Sequence, residues 1–368
     1  MDNDNFLPKY ILVKDKIKDL IKNKEISPGD KIPGENQLCD KYNVSRHTIR
    51  RAIDILVQED ILEKRQGLGT FYRGENANRT GNIGFISISL HDYIFADILS
   101  AVDNIMHQNN YQIILGNSRD DISREKSILL QFLEKGIDGL IIEPARSAIN
   151  TSNIDLLEKF ASKNIPVVVL DSSYQSDLIN TVLVDDKKGG EMAVNHLIEM
   201  GHQEIAIIYK ATHKPALARL SGYKRAIIDA GLELKDELLR PYFNSEFSNP
   251  GEFEREIREI LNELLKNKKL TGIFAFNDQI AVLLNELLLE KGLNVPDDIS
   301  IIAFDDSKLV RLNNISISSI AHPKEKAGKK AAEIIIEELE REETPLHINK
   351  VFKPFLCKRS SVKKITRR

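Results

Sequence analysis

From residue 83 to about residue 305 the chain alternates apolar runs of strand length with amphipathic helical stretches. Ile83–Ser89, Gln112–Leu115, Gly139–Ile142, Pro166–Leu170 and Thr181–Val184 form a first set of strands, with helical patterns near 94–109, 123–135 and 153–163 between them. The alternation then repeats, with Ile205–Tyr209, Gly272–Phe276 and Ile299–Phe304 as strands and helices near 187–200, 217–230, 251–267 and 278–291. Strands apolar along their whole length must be covered on both faces, and helices between them make the sheet parallel. There are enough units for two sheets, so the α/β body is expected to have two lobes. In open α/β sheets ligands sit beyond the carboxyl ends of the strands, and two facing lobes bring those ends to a shared cleft.

Residues 1–73 are built differently. Tyr10, Val13, Ile17, Leu20 and Ile21 recur at helical spacing after Pro8, and Ser27-Pro28-Gly29-Asp30 makes a turn. A second short helix follows Pro33, with Leu38 and Tyr42 on one face. Asn43-Val44 turns the chain, and Ser45 is placed to cap a third helix whose buried stripe is Ile49, Ala52, Ile53 and Leu56. Two short β-like runs, Ile61–Lys64 and Thr70–Tyr72, then flank Arg65–Gly69 as a wing.

On the third helix Arg46, His47 and Arg50 point away from the apolar stripe within the first turn and a half. A recognition helix enters the major groove with its N-terminal residues nearest the bases. There Arg can give two hydrogen bonds to guanine, while His or Thr reaches bases or phosphates. The candidate DNA-binding residues are therefore Ser45, Arg46, His47, Thr48 and Arg50, with Gln66 and Gly67 at the wing tip. Lys9 and Glu35, at the starts of the first two helices, complete the set. Lys41 and Arg51 add to the local basic cluster. A formal net charge of −3 means that DNA contact must rest on such a local surface.

A chain of 368 residues exceeds one average domain. Arg73–Asn82 is polar and lacks apolar periodicity, which divides the chain into a head (1–73), a linker (74–82) and a body (83–368). The linker either transmits or tolerates a change in spacing. The start of the chain carries acids where a signal peptide carries bases, and no window has the length and apolarity of a membrane span, so a cytoplasmic protein is expected. Cys39 and Cys357 are expected as buried free thiols.

Polar residues end the apolar strands. Glu143, Asp171, Asn277-Asp278 and Asp305-Asp306 offer carboxylates and an amide of the kind that bridge adjacent hydroxyls. Arg219 adds a planar donor. With no Trp in the chain, Tyr93, Tyr174 and Phe304 are the aromatic candidates for packing on a sugar face. Asp171, Asp278 and Asp306 taken singly also read as helix or turn caps. Arg219 is the one fixed cation of this set, which argues against a phosphorylated effector.

Two resemblances sharpen these readings. PGENQL, VSRHTIRRAIDIL and QGLGTF make residues 9–73 similar to the winged-helix head of the GntR family of bacterial transcription factors. GIDGLII, IPVVVLD, VDDKKGGEMAVNHLIEMGHQEIAII, RLSGYKRA, FAFNDQIAV and VPDDISIIAFDDS make residues 83–361 resemble the effector-binding domain of the LacI/GalR family. That resemblance implies a two-lobed, periplasmic-binding-protein-like fold whose effector pocket is lined by Asp171, Arg219, Asn277 and Asp305. It also brings in the loop His91-Asp92-Tyr93 after the first strand. The chain departs from LacI in its head and in lacking a C-terminal leucine heptad. The pairing of head and body resembles the family of arabinose-responsive repressors of low-GC Gram-positive bacteria, with the loop KATHKP (210–215) a candidate for contact with the ligand.

The resemblance implies a homodimeric repressor that reads a palindromic operator and is released when a small sugar, L-arabinose, binds between the lobes. No cofactor or metal is expected. A hydrolase elbow, a metal cluster and a P-loop are all missing from the sequence, and His196 and His202 read as structural. Two alternatives stay open: an activator or dual regulator responding to a phosphorylated sugar or a purine, and a sugar-binding module with a degenerate head. The basic tail Lys363–Arg368 reads as a frayed end or a weak nucleic-acid contact.

Overall fold

Apolar spacing and local capping account for most of the elements. The computed structural model describes residues 8–365 apart from 24, 60, 74–78, 91–93, 150–152, 246, 248, 313–315 and 342–346. It divides into two units between Thr80 and Gly81. The first unit holds α1 (Lys9–Lys22), α2 (Glu35–Tyr42), α3 (Arg46–Gln58), β1 (Leu62–Arg65) and β2 (Gly69–Tyr72). Its core joins Val13, Ile17 and Leu20 of α1 to Leu38 of α2 and to Ile49, Ala52, Ile53 and Leu56 of α3. Asn43, in the left-handed region at φ 51°, ends α2, and Ser45 opens α3 by accepting the Thr48 N–H at 3.3 Å. Strands β1 and β2 pair antiparallel from Leu62–Tyr72 to Arg65–Gly69 and form the wing.

The second unit runs β3 (Asn82–Ser87), α4 (Phe95–Gln108), β4 (Gln112–Asn117), α5 (Ile122–Lys135), β5 (Gly139–Ile142), α6 (Ile154–Ala161), β6 (Val167–Leu170) and β7 (Asn180–Val184). It continues with α7 (Asp186–Glu199), β8 (Ile205–Lys210), α8 (Lys214–Asp229), β9 (Leu239–Tyr242), α9 (Pro250–Leu264), β10 (Gly272–Ala275), α10 (Asp278–Glu290) and β11 (Ser300–Asp305). The last elements are α11 (Leu309–Leu312), β12 (Ser318–Ala321), α12 (Lys324–Glu340), β13 (Asn349–Phe352) and β14 (Phe355–Cys357).

These strands form two six-stranded sheets, ordered β13-β7-β6-β5-β3-β4 and β14-β12-β11-β10-β8-β9. Every pairing is parallel except β12 with β14. The apolar strands feed cores on both faces of each sheet. Ile83 and Phe85 face one cluster while Ile86 faces the other, and Ile273 and Phe274 divide in the same way.

The chain passes between the lobes at 184–186, 321–324 and 352–355. Helix α12 crosses back to pack on the first sheet, with Ala327, Ala331 and Ile335 in the cluster of Ile83 and Phe85. All three crossings lie on the β7/β13 side of one sheet and the β12/β14 side of the other. The free edges, β4 and β9, lie away from them.

Some expectations need correction. Strand β3 begins at Asn82 and the Gly81 N–H donates to Asp138 at 2.7 Å, so these two residues belong to the body and not to a linker. The tail is docked as far as it is described: the Ile365 N–H bonds Met200 O at 2.7 Å, and Lys363 bonds Ser300 through its N–H. Both thiols are free, but half-buried. No helix among the described residues is long and apolar enough to cross a membrane.

Candidate functional site

In the head, Ser45, Arg46, His47 and Arg50 are exposed at the start of α3, with Thr48 half-buried. The Thr48 hydroxyl lies 2.9 Å from that of Ser45. Glu35 of α2 fixes Arg50, whose Nε lies 2.9 Å and 3.1 Å from the two carboxylate oxygens, so the guanidinium is aimed before anything binds. Lys9 is exposed at the first turn of α1. Gln66 and Gly67 are exposed at the wing tip, where Gly67 has φ 73° and supplies a turn that a side chain would strain. Arg51 is turned elsewhere: its guanidinium stacks on the Tyr10 ring at 4.2 Å and ties α3 to α1.

In the body, Arg219 is positioned by an unusually close helix crossing. A Cβ at Gly190 of α7 would lie 2.3 Å from Arg219 O, and one at Gly222 of α8 would lie 2.0 Å from Lys187 O. Only glycines allow these backbones to touch. The Arg219 guanidinium is then held from three sides. Its Nε donates to Asp186 at 2.8 Å, Nη1 donates to Phe276 O at 2.7 Å, and Nη2 lies 3.8 Å from Asp305. Its plane covers the Phe304 ring at 3.5 Å. Burial pushes the Asp186 carboxyl up to about 6 despite the attraction of Arg219.

Asp171, at the end of β6, meets His322 from the crossing after β12, with Nε2 and Oδ1 3.0 Å apart. Burial alone would raise the Asp171 carboxyl, but His322 and Arg219 outweigh it and hold it below its ordinary value. Burial alone would lower His322, but Asp171 and Asp305 hold it above its ordinary value. Each group thus favours the charged form of the other, and their contact joins the two lobes. The His322 N–H also bonds Asp305 O at 3.3 Å, and Lys324 Nζ donates to the same carbonyl.

Asp305 is buried with φ 101°, a strained position for a side chain. Asn277 is the cap of α10, its Oδ1 accepting the Ile280 N–H at 3.0 Å, which leaves its NH2 group to offer. Glu143 accepts from Ser87 Oγ at 3.1 Å, bridging the ends of β5 and β3. Asp278 holds Ser307 N at 2.6 Å and Ser319 Oγ at 2.7 Å, and Asp306 pairs with Arg359 and Arg311, so both act in holding the fold.

Asp171, Arg219 and Asp305 are thus brought together, Asn277 follows next to Phe276, and Glu143 stands at a neighbouring strand end of the first lobe. His91 and Tyr93 lie outside the described residues. Phe304 is fully buried beneath Arg219 and cannot present its face to a ligand, whereas half-buried Phe276, 4.7 Å from the same guanidinium, keeps some exposure. Arg219 is not alone as a cation: Lys324 donates to the Asp305 carbonyl, titratable His322 meets Asp171, and Lys210 lies beside Asp120 at the other edge of the cleft. Sequence reasoning missed Asp186, His322 and Lys324 because their roles come from partners distant in the chain. His196 and His202 are buried, and His202 bonds Thr271 Oγ1 at 2.9 Å and Lys363 O at 3.1 Å.

Comparison with known proteins agrees with this layout. Residues 9–71 match the bacterial regulatory proteins of the gntR family, and residues 194–362 match a periplasmic binding protein-like domain. The chain is 32% identical over 363 residues to an arabinose metabolism transcriptional repressor of Geobacillus stearothermophilus, covering 98% of this chain and 99% of that one. A second such repressor, from Halalkalibacterium halodurans, is 33% identical over 341 residues, covering 91% and 90%.

The chain belongs to the arabinose metabolism transcriptional repressors. Members of this family are regulators, not enzymes, and this repressor carries their DNA-binding head and sugar-binding type of effector body. The body also resembles a solved LacI-family regulator from Enterococcus faecium with bound ribose, at 25% identity and a TM-score of 0.66, over 77% of this chain and all of that one.

Proposed function

We propose that the repressor acts as a homodimer on a palindromic operator in the cytoplasm and is released when L-arabinose binds between the lobes of its body. Residues 1–73 form the DNA-binding domain, 74–80 the linker and 81–368 the effector domain. The observation that carries this reading is the convergence of Asp171, Arg219 and Asp305 at the interlobe strand ends, with the Asn277 amide beside them. Paired acceptors and one planar donor suit a ring of adjacent hydroxyls. Glu143, Phe276 and the loop carrying His91 and Tyr93 complete the proposed pocket.

Ser45, Arg46, His47, Thr48 and Arg50 are the proposed groove contacts, with Glu35 aiming Arg50. Gln66 and Gly67 of the wing and Lys9 meet the flanking backbone. Two-fold symmetry of the protein imposes two-fold symmetry on the operator, and phosphate contacts make binding salt-dependent. The sugar shifts the equilibrium by its differential affinity for the closed, DNA-free state. Operator binding followed by fluorescence anisotropy, with and without L-arabinose, tests the proposal. Affinity unchanged by saturating sugar would remove it.

A further inference from the structure

The loop 210–214 spans the cleft at the edge away from the crossings. Lys210 ends β8, next to the free edge β9 of the second lobe, and Asp120 follows β4, the free edge of the first. Lys210 Nζ lies 3.0 Å from Asp120 Oδ2, and His213 Nε2 lies 3.2 Å from Oδ1. The Asp120 side chain is wholly buried and that of Lys210 is 2% exposed. On the first lobe Asp120 is gripped by Arg146, whose N–H donates to Oδ1 and whose Nε donates to the Asp120 carbonyl, both at 3.1 Å.

More contacts follow along the same edge. Ala148 N–H donates to Thr212 O at 3.0 Å, and Lys214 N–H donates to Ser147 Oγ at 3.1 Å. Lys214 Nζ donates to Ser173 O and sits over the Tyr174 ring at 4.2 Å. Every one of these joins the first lobe to the second.

We infer that Asp120, Lys210 and His213 form a latch that holds the effector body closed, opposite the crossings, and so sets how long a bound sugar is retained. The inference rests on the reading of the cleft as the effector site. Its logic is electrostatic. Taking three charged or polar groups out of water offsets most of what their attraction yields, and opening returns them to water. The latch therefore favours closure by only a modest margin while making it depend on both lobes together. Such a balance is what a ligand of modest differential affinity can tip. These are positioning residues: they act on the sugar through the closure of the lobes.

The test uses the full chain and two variants. In Asp120→Asn/Lys210→Met both buried charges are removed together, so neither is left unpaired. In Lys214→Ala the buried pair is untouched and only the half-buried end of the seam is cut. Hydrogen exchange of peptides covering 144–149 and 210–217, without ligand, reports the Ala148–Thr212 and Lys214–Ser147 bonds. Stopped-flow binding of L-arabinose reports retention.

Both variants are expected to exchange faster at this seam with core strand β10 unchanged. They are also expected to release L-arabinose faster, with little change in association. The shift in the double variant should fall within the roughly 5–150-fold range of ordinary coupling. Unchanged seam exchange in the double variant overturns the latch, as does unchanged sugar release from a chain that binds L-arabinose. If the unaltered chain binds no L-arabinose, the effector reading fails while seam exchange still decides the latch.

Discussion

His322 and Asp171 sit 3.0 Å apart across the lobes, one on a crossing segment and the other at the end of β6. Each shifts the other in the direction that keeps both charged. Because folding raises His322, its contribution is full below the ordinary histidine value of about 6.5 and is lost as pH rises through the elevated value. Because folding lowers Asp171, its contribution is present above the ordinary carboxylate value and is lost as pH falls through the depressed one.

Stability should therefore fall on the alkaline side more steeply in the native chain than in His322→Asn. A charged hydrogen bond of this kind contributes about 1.5–3 kcal/mol at most. Urea unfolding between pH 6 and 9 measures the difference, and parallel curves for the two proteins would show that the pair contributes nothing.

Arg50 and Glu35 make a similar case in the head. Arg50→Ala should weaken specific operator binding, removing about 1–3 kcal/mol of discrimination per half-site for a bidentate base contact, and leave sugar binding intact. Glu35→Ala frees the guanidinium without deleting it, so a smaller loss in the same direction is expected. Anisotropy with operator and scrambled DNA separates the two, and full operator affinity in Arg50→Ala would refute the recognition-helix assignment.

Arg219→Ala should yield a repressor that still binds operator and ignores sugar. It takes from buried Asp186 the guanidinium that bonds it at 2.8 Å, and breaking a buried pair typically costs about 3–5 kcal/mol, so melting must be recorded alongside. Gly190→Ala keeps every pocket side chain but forces α7 away from Arg219. It should weaken the sugar response too, by displacing the guanidinium. A normal response in Arg219→Ala would take that residue out of the pocket.

Burial and the charge of Asp305 push the Asp278 carboxyl up to about 7. A carboxyl raised by folding destabilises the native state as pH rises toward that value. Asp278→Asn keeps an acceptor for Ser307 N and carries no charge. Relative to the native chain it should gain stability as pH rises from about 5 to above 7, as read from melting temperatures at both pH values. A loss of stability above pH 7 would show that the ionised form is the one the fold requires.

The head was legible because its signals are local: Ser45 caps the helix it opens, and the stripe Ile49–Leu56 lies within that helix. The long apolar strands were legible for the same reason. Strands β9 (LRPY), β12 (SSIA) and β13 (NKVF) were missed because polar residues or proline break their apolar run, and β14 (FLC) because it spans only three residues; three of the four are edge strands. Helix α12 was passed over although its alanines and isoleucines repeat at helical spacing. The partnerships Asp171–His322, Arg219–Asp186 and Asp120–Lys210 span 151, 33 and 90 positions, the last from the residue numbers of the pair. No pattern within a window of sequence encodes them. Phe304 was misjudged because a strand-end aromatic reads alike whether it faces the cleft or the core.

The most direct test of the account is calorimetric titration of the full chain with L-arabinose, alone and saturated with operator, using D-xylose, D-ribose and D-galactose as controls. The account predicts saturable, arabinose-selective binding that is weaker on the operator complex. The factor must equal that by which the sugar weakens operator binding. Equal sugar affinity with and without operator would contradict the switch, whichever sugar binds.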